Sequence, residues 1–407
     1  AELLATPVEP IPVGTPARLP GRCYRSIASP RGANLYWDLP QLVAAHRMAV
    51  VAGAADLSAA ADAYAASWLA GLRAPSGLIR WGNHYYWSFD RRTAVHFVDA
   101  EDPFPVPDGD DGEYHEMRPL PTAWGVLRRV DAPAADAALT ACRRHIVRED
   151  GAFNRHATAD GTLHAFLESG AILALGWAEA AAAGGSPWMA ADARRIIAFS
   201  ANQRGASGLL RNSPLVQRWD GISTTSEVGM WAGAVARCGE LLADPGLVAL
   251  AAEVLGRWLE LAWDESAGRF RGRLLVADGA HDRSPRTTVY QPGEWCDAWD
   301  PLFPAHDYPM ACAEACLRLH RLTGAGTFAD GARRWMRHLD RQGPPRQPGL
   351  DGTFVPGTCA EHYGRAIHVL DGIARQLGDA TAAAMADQLA IEAVSGLWTG
   401  RMFRGRI

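Results

Sequence analysis

At 407 residues and 48% hydrophobic content, the chain is long enough to bury one large core or two ordinary ones. Its 40 basic residues include no lysine, so every one is arginine; Schiff-base chemistry, pyridoxal phosphate attachment and the P-loop lysine are excluded. Against 45 acidic residues, and without a basic tail or a long charge run, the sequence carries no electrostatic footprint for nucleic acid or for an anionic membrane surface.

In chain order, residues 1–35 are proline-rich and aperiodic, which predicts an irregular N-terminal arm ahead of a single domain spanning 36–407. From Leu39 the apolar spacing is helical, and the predicted helices come in pairs: 39–53 with 57–71, 121–130 with 133–147, 164–183 with 187–203, 226–242 with 245–263, 307–323 with 326–341, and 358–377 with 379–394. The joints inside the pairs are short and hold Gly, Asp or Pro, as in Asp244-Pro-Gly246 and Gly378-Asp379, so each pair is an antiparallel hairpin.

A short phrase follows each pair or precedes the next: Ser76-Gly-Leu-Ile-Arg80, Asp150-Gly-Ala-Phe-Asn154, Ser207-Gly-Leu-Leu-Arg211, Ala267-Gly-Arg-Phe-Arg271, Asp351-Gly-Thr-Phe-Val355 and Thr399-Gly-Arg-Met-Phe403. It reads as a left-handed glycine that stops the preceding helix, an apolar residue that anchors inward, and a polar residue brought to a fixed place. The first helix of a pair is the more apolar one, as in Ala165-Phe-Leu-Glu-Ser-Gly-Ala-Ile-Leu-Ala-Leu-Gly-Trp177, and the second carries an arginine-studded face. A buried inner row and a half-wet outer row predict an all-α (α/α)6 toroid of six antiparallel helix pairs, with long loops at one mouth.

The connections 81–120 and 264–306 are much longer than the others, a length more often functional than idle. The mouth segments collect Asn83, His84, Tyr85, Tyr86, His115, Glu116, Arg118, Asn154, Arg155, His156 and His164 from the first half. From the second half come Arg211, Asn212, Glu227, Tyr290, Asp307, Tyr308, Glu361, His362, Tyr363 and Arg365. A lone histidine before a helix is usually a cap or a packing residue, and most of the 15 tryptophans in a helical protein are core. No HxH or HExxH spacing supports a metal, no CxxC pair links any of the seven cysteines, and no cofactor is implied.

The ring of helix pairs, together with Asn154-Arg-His156, Tyr290 and Cys359-Ala-Glu-His-Tyr-Gly-Arg365, resembles the (α/α)-toroid polysaccharide lyases that cleave uronic-acid polymers. The resemblance implies β-elimination: Asn154 and an arginine neutralise the sugar carboxylate, Tyr290 with His156 and His362 handles the proton, and an acidic oligo- or polysaccharide is the partner. Substrate contacts then fall to His84, Tyr85, His115, Glu116, Arg118, Arg155, Arg211, Glu227, Tyr308, Glu361, Tyr363 and Arg365. The paired Asn-Asn helix motif of the alginate-lyase members is missing from this chain.

The chemistry is self-consistent, since a proton α to a carboxylate leaves only when buried donors stabilise the charge that develops. Two other readings use the same ring. A glycoside hydrolase would need paired carboxylates, with Glu116, Glu227, Asp307 and Glu361 as candidates, and a sugar 2-epimerase would need paired histidines, with His156 and His362 as candidates. A secreted or periplasmic location is expected, although the first residues show neither a basic start nor the apolar run of a signal peptide.

Overall fold

The computed structural model describes residues 32–33, 35–71, 77–79, 85–88, 93–96, 123–155, 165–214, 220–285, 292–299, 309–348, 354–356 and 360–398. The expected N-terminal arm therefore lies outside the described residues, apart from Gly32–Ala33 and from Leu35, which begins a helix. The chain divides into two compact units, one holding residues 23–199 and the other residues 200–407.

The fold is all-α. Among the described residues there are twelve α-helices in six consecutive pairs. In the first unit these are α1 (Leu35–Ala52) with α2 (Ala55–Gly71), α3 (Ala123–Val130) with α4 (Ala132–Ala141), and α5 (Leu167–Ala182) with α6 (Pro187–Ala201), the unit boundary falling at the end of α6. The second unit holds α7 (Thr225–Leu241) with α8 (Pro245–Ala262), α9 (Ala311–Thr323) with α10 (Gly326–Gln342), and α11 (Ala360–Leu377) with α12 (Ala380–Leu397).

Strands are short. β1 (Gly32–Ala33), β2 (Tyr85–Ser88) and β3 (Thr93–His96) form one antiparallel sheet. β4 (Ile222–Thr224) pairs with β7 (Arg273–Leu275), β5 (Trp263–Asp264) with β6 (Arg269–Phe270), and β8 (Arg346–Pro348) with β9 (Phe354–Pro356). None of the described helices is long and apolar enough to cross a membrane.

Within each unit the first helices of successive pairs pack on one another, α1 on α3 on α5, and α7 on α9 on α11. Thirteen of the sixteen residues of α5 and twelve of the seventeen of α7 are buried, against seven of eighteen in α8 and four of eighteen in α12. First helices thus form an inner row and second helices an outer one. Small residues permit the inner approach: a Cβ on Gly176 of α5 would stand 2.5 Å from Trp124 of α3, and one on Gly229 of α7 would stand 2.4 Å from the backbone nitrogen of Cys312 in α9.

Three of the outer helices, α4, α8 and α12, start at aspartate caps. Asp131 Oδ1 accepts from Ala134 N at 2.9 Å, Asp244 Oδ1 from Gly246 N at 3.2 Å, and Asp379 Oδ1 from Thr381 N and Ala382 N, both at 3.1 Å. The ends of inner helices are set by left-handed residues: Gly53, Gly184, Gly324 and Gly378 have φ of 64°, 85°, 69° and 65°. At the corresponding joint after α7 the chain has Ala243, with φ 49°.

One expectation about the repeated phrase is corrected. Its glycine does not stop a helix. Gly77, Gly151, Gly208 and Gly268 do have positive φ, but Gly151, Gly208 and Gly268 turn small hairpins that begin after the outer helix has ended. Ile146 bridges Phe153, Arg204 bridges Leu210, and Trp263 pairs with Phe270 across these turns. The helix predicted over 133–147 accordingly ends at Ala141, tightens into a 3-10 turn over Cys142–His145, and gives way to the hairpin. The apolar residue does anchor inward: Ile79, Phe153, Leu210 and Phe270 are buried. Gly352 and Gly400 lie outside the described residues.

The β5–β6 hairpin shows how the anchor is held. Phe270 stacks on Trp335 of α10 at 4.7 Å, and its backbone N–H donates to His338 Nδ1 at 3.2 Å. His338 is therefore required as an acceptor, and burial, reinforced by Arg269, lowers its pKa to about 3.

Two outcomes follow for stability. Ala243→Gly relieves a left-handed alanine, and chemical denaturation should show a gain of about 1 kcal/mol; a loss would contradict the assignment of that joint. Because the folded pKa of His338 is depressed, its contribution is complete above the unfolded value near 6.5 and is lost as pH falls toward 3. His338→Gln should flatten that part of the stability profile, which in the parent falls by on the order of a few kcal/mol. An unchanged slope would count against the neutral, accepting histidine.

Candidate functional site

In the first unit the hairpin delivers its polar residues to the start of the next inner helix. Phe153 packs against Gly170 in the first turn of α5, where an added Cβ would come 3.4 Å from the ring and 3.1 Å from Ile196. Phe153 also stacks on His145 at 5.5 Å. The Asn154 N–H donates to the His145 carbonyl at 2.8 Å, and His145 Nδ1 is 2.7 Å from the Asn154 carbonyl, so the ring donates from Nδ1. Both residues are buried. This double clamp fixes the backbone from which Arg155 projects, and the Arg155 guanidinium lies over Phe166, the residue before α5, at 4.6 Å.

Two residues beyond Phe166 stands Glu168. It is 3% exposed, in the first turn of a helix that is otherwise almost wholly apolar. Ser169 Oγ donates to Oε1 at 3.0 Å, while Oε2 has no hydrogen-bond partner among the described residues. Burial raises the carboxyl pKa to about 7, opposed by backbone N–H groups at the helix start, by Arg155 and by Ser169. Glu168 is thus a carboxyl group poised to hold or release a proton near neutrality.

In the second unit the corresponding place is the start of α7. Arg211 Nη1 donates to the Asp220 carbonyl at 2.7 Å, bracing its own turn. Arg271 does the same in the β5–β6 hairpin, with Nη1 on the Leu261 carbonyl at 3.0 Å and Nη2 on Asp264 at 3.2 Å. Asn212 is buried and bonds Thr224 twice, to Oγ1 and from the backbone N–H, both at 3.1 Å. Three residues later comes the half-buried Glu227. Glu168-Ser-Gly170 and Glu227-Val-Gly229 are the same arrangement: a first-turn glutamate, two residues ahead of a glycine pressed by its neighbours.

On α11, His362 is buried with its ring 6.1 Å from Trp299, and Arg365 is half-buried. Tyr363 is turned into the packing between α11 and α12, beside Ala393 and Leu397. Its hydroxyl donates to Glu392 Oε2 at 3.4 Å, and burial followed by Glu392 raises its pKa. For Tyr85 and Glu361 the structure gives only the backbone, in β2 and α11. Asn83, His84, His115, Glu116, Arg118, His156, His164, Tyr290, Asp307 and Tyr308 lie outside the described residues. No group of three or more potential metal ligands occurs among those described.

Glu168 was passed over in the sequence. The signal was present: a carboxylate in the first turn of the most apolar helix of the chain, whose other carboxylate is Glu179 in its last turn, is a charge that burial must perturb.

No known family matches this sequence, and no curated protein is similar to it. Solved structures do resemble it. A GH76 α-mannanase of Bacteroides thetaiotaomicron is 12% identical with a TM-score of 0.46, covering 67% of this chain and 70% of its own. A D-mannose isomerase is 11% identical with a TM-score of 0.48, covering 74% and 83%, and a sugar epimerase from a ruminal bacterium is 10% identical with a TM-score of 0.47, covering 67% and 72%. Likeness at this distance carries no information on reaction or substrate.

Proposed function

We propose that this chain is a carbohydrate-processing enzyme that works by general acid–base catalysis, with glycoside hydrolysis as its reaction and Glu168 as its proton donor. The observation that carries this reading is the buried first-turn carboxyl of Glu168, with a pKa near 7. A carboxylic acid that keeps its proton at neutral pH can pass it to a leaving glycosidic oxygen, and an ordinary surface glutamate cannot. The backbone N–H groups of the helix start and the Ser169 hydroxyl then stabilise the carboxylate that remains. The sugar substrate is supported by the resemblance seen in the sequence. Glu227 repeats the position in α7 and is an independent candidate for carboxylate chemistry.

β-Elimination on a uronate is the second reading. The arginine beside Glu168 favours it, because Arg155 and Asn154 are the donor types that neutralise a sugar carboxylate. Its base, Tyr290, lies outside the described residues. The products tell the two apart: hydrolysis yields a new reducing end, and elimination also yields an unsaturated uronate with its own ultraviolet absorbance.

Glu168→Gln tests the reading in activity and in stability at once. Turnover on the glycan identified by a panel of neutral and uronate polymers should fall by a factor on the order of 10² or more. Since the folded pKa is raised, the carboxyl's contribution to stability is complete below the unfolded value near 4.5 and is lost as pH rises through about 7. At pH 8 the Gln variant should therefore be more stable than the parent, by up to about 3 kcal/mol. Retained activity, or a variant less stable than the parent at pH 8, would contradict the role.

A further inference from the structure

At the opposite end of the second unit's inner helices from Glu227, a different cluster is assembled by close packing. Gly229 and Gly233 of α7 bring that helix against Cys312 and Ala315 of α9, the Gly233 position standing 3.7 Å from the Ala315 Cβ. The helices run in the same direction, so one or two turns on their C-terminal ends meet. There Glu240 takes three guanidinium groups: Arg237 Nη1 at 2.7 Å and Arg318 Nη1 at 3.2 Å on Oε2, and Arg321 Nη2 at 2.7 Å on Oε1.

Both carboxylate oxygens are occupied, and two positive charges stay unmatched. None of the three arginines has another ion-pair partner among the described residues. Glu314, one turn before Arg318, lies 3.9 Å from His368 Nε2 and acts on Arg318 more weakly than Glu240, Arg237 or Arg321 does. The partial negative ends of two helices offset part of the excess, roughly half a charge each. Arg318 is the most confined of the three, and burial lowers its pKa, followed in effect by the two neighbouring guanidiniums. A guanidinium offers five N–H donors in a planar fork that fits oxyanions, and each of these spends one on Glu240.

We infer that Arg237, Arg318 and Arg321 form a binding site for a doubly charged oxyanion of the phosphate or phosphate-ester class, with Glu240 holding the three guanidiniums in place. The site is independent of the proposed reaction. It predicts that an oxyanion adds to the cluster on the open side of the arginines, and that Glu240 competes with it for the same donors.

The test is thermal unfolding of the full chain in sodium phosphate against sodium chloride at equal ionic strength. Phosphate should raise the midpoint saturably and beyond chloride. Arg321→Met, at a half-exposed position, should weaken the phosphate response several-fold, and Glu240→Gln should strengthen it by removing the competing carboxylate. Glucose 6-phosphate in place of phosphate identifies the source: a larger response assigns the ester and an equal one assigns the free ion, either supporting the site. Equal midpoints in phosphate and chloride, or an unchanged response in Arg321→Met, would overturn it.

Discussion

The close approach of the inner helices is the constraint on which the other features depend. Gly176 leaves room for the Trp124 ring, and Gly229 leaves room for the backbone of α9; with side chains there, the inner row could not close to these distances. Once it has closed, the first turn of α5 is covered by the hairpin that follows α4, whose Phe153 packs against Gly170. Glu168 is buried for that reason, and burial is the larger influence on its proton affinity. The same approach, read at the other end of α7 and α9, brings three arginines onto one glutamate.

The repeated glycine phrase is the device that joins packing to chemistry. Its glycine makes a turn and its apolar residue docks on a neighbouring helix: Phe153 on the first turn of the inner helix α5, Phe270 on the outer helix α10. In the hairpins after α6 and α8 the residue after the anchor is an arginine that braces the hairpin itself. After α4 it is Asn154, held through its backbone by His145, and the following Arg155 stands over Phe166 next to Glu168. The hairpin with the odd residue is thus the one beside the perturbed carboxyl.

Much of the helical framework was legible from sequence, because a 3.6-residue apolar period punctuated by Gly and Asp leaves little freedom. Six pairs were read and six are present among the described residues, with most boundaries within a few residues. Glycine roles were less legible. The same residue in the same left-handed state serves both as a helix stop at Gly324 and as a hairpin turn at Gly268, and only pairing partners tell them apart. Connection 264–306 read as patternless, since strands of two or three residues such as β6 and β7 are too short to show alternation. Glu168 was hidden by its company: a run of Ala, Leu, Ile and Gly reads as core, and the carboxylate at its head reads along with the rest.

The Glu168 carboxyl, inside the first turn of α5, is the group on which the proposed chemistry turns, and its proton is held to near neutrality. Carbon-13 NMR of glutamate side-chain carboxyls, assigned by comparison with Glu168→Gln, reads that equilibrium directly and without a substrate. One carboxyl should titrate near pH 7 and be missing from the variant. A Glu168 signal that titrates in the ordinary glutamate range, near 4.3, would contradict it.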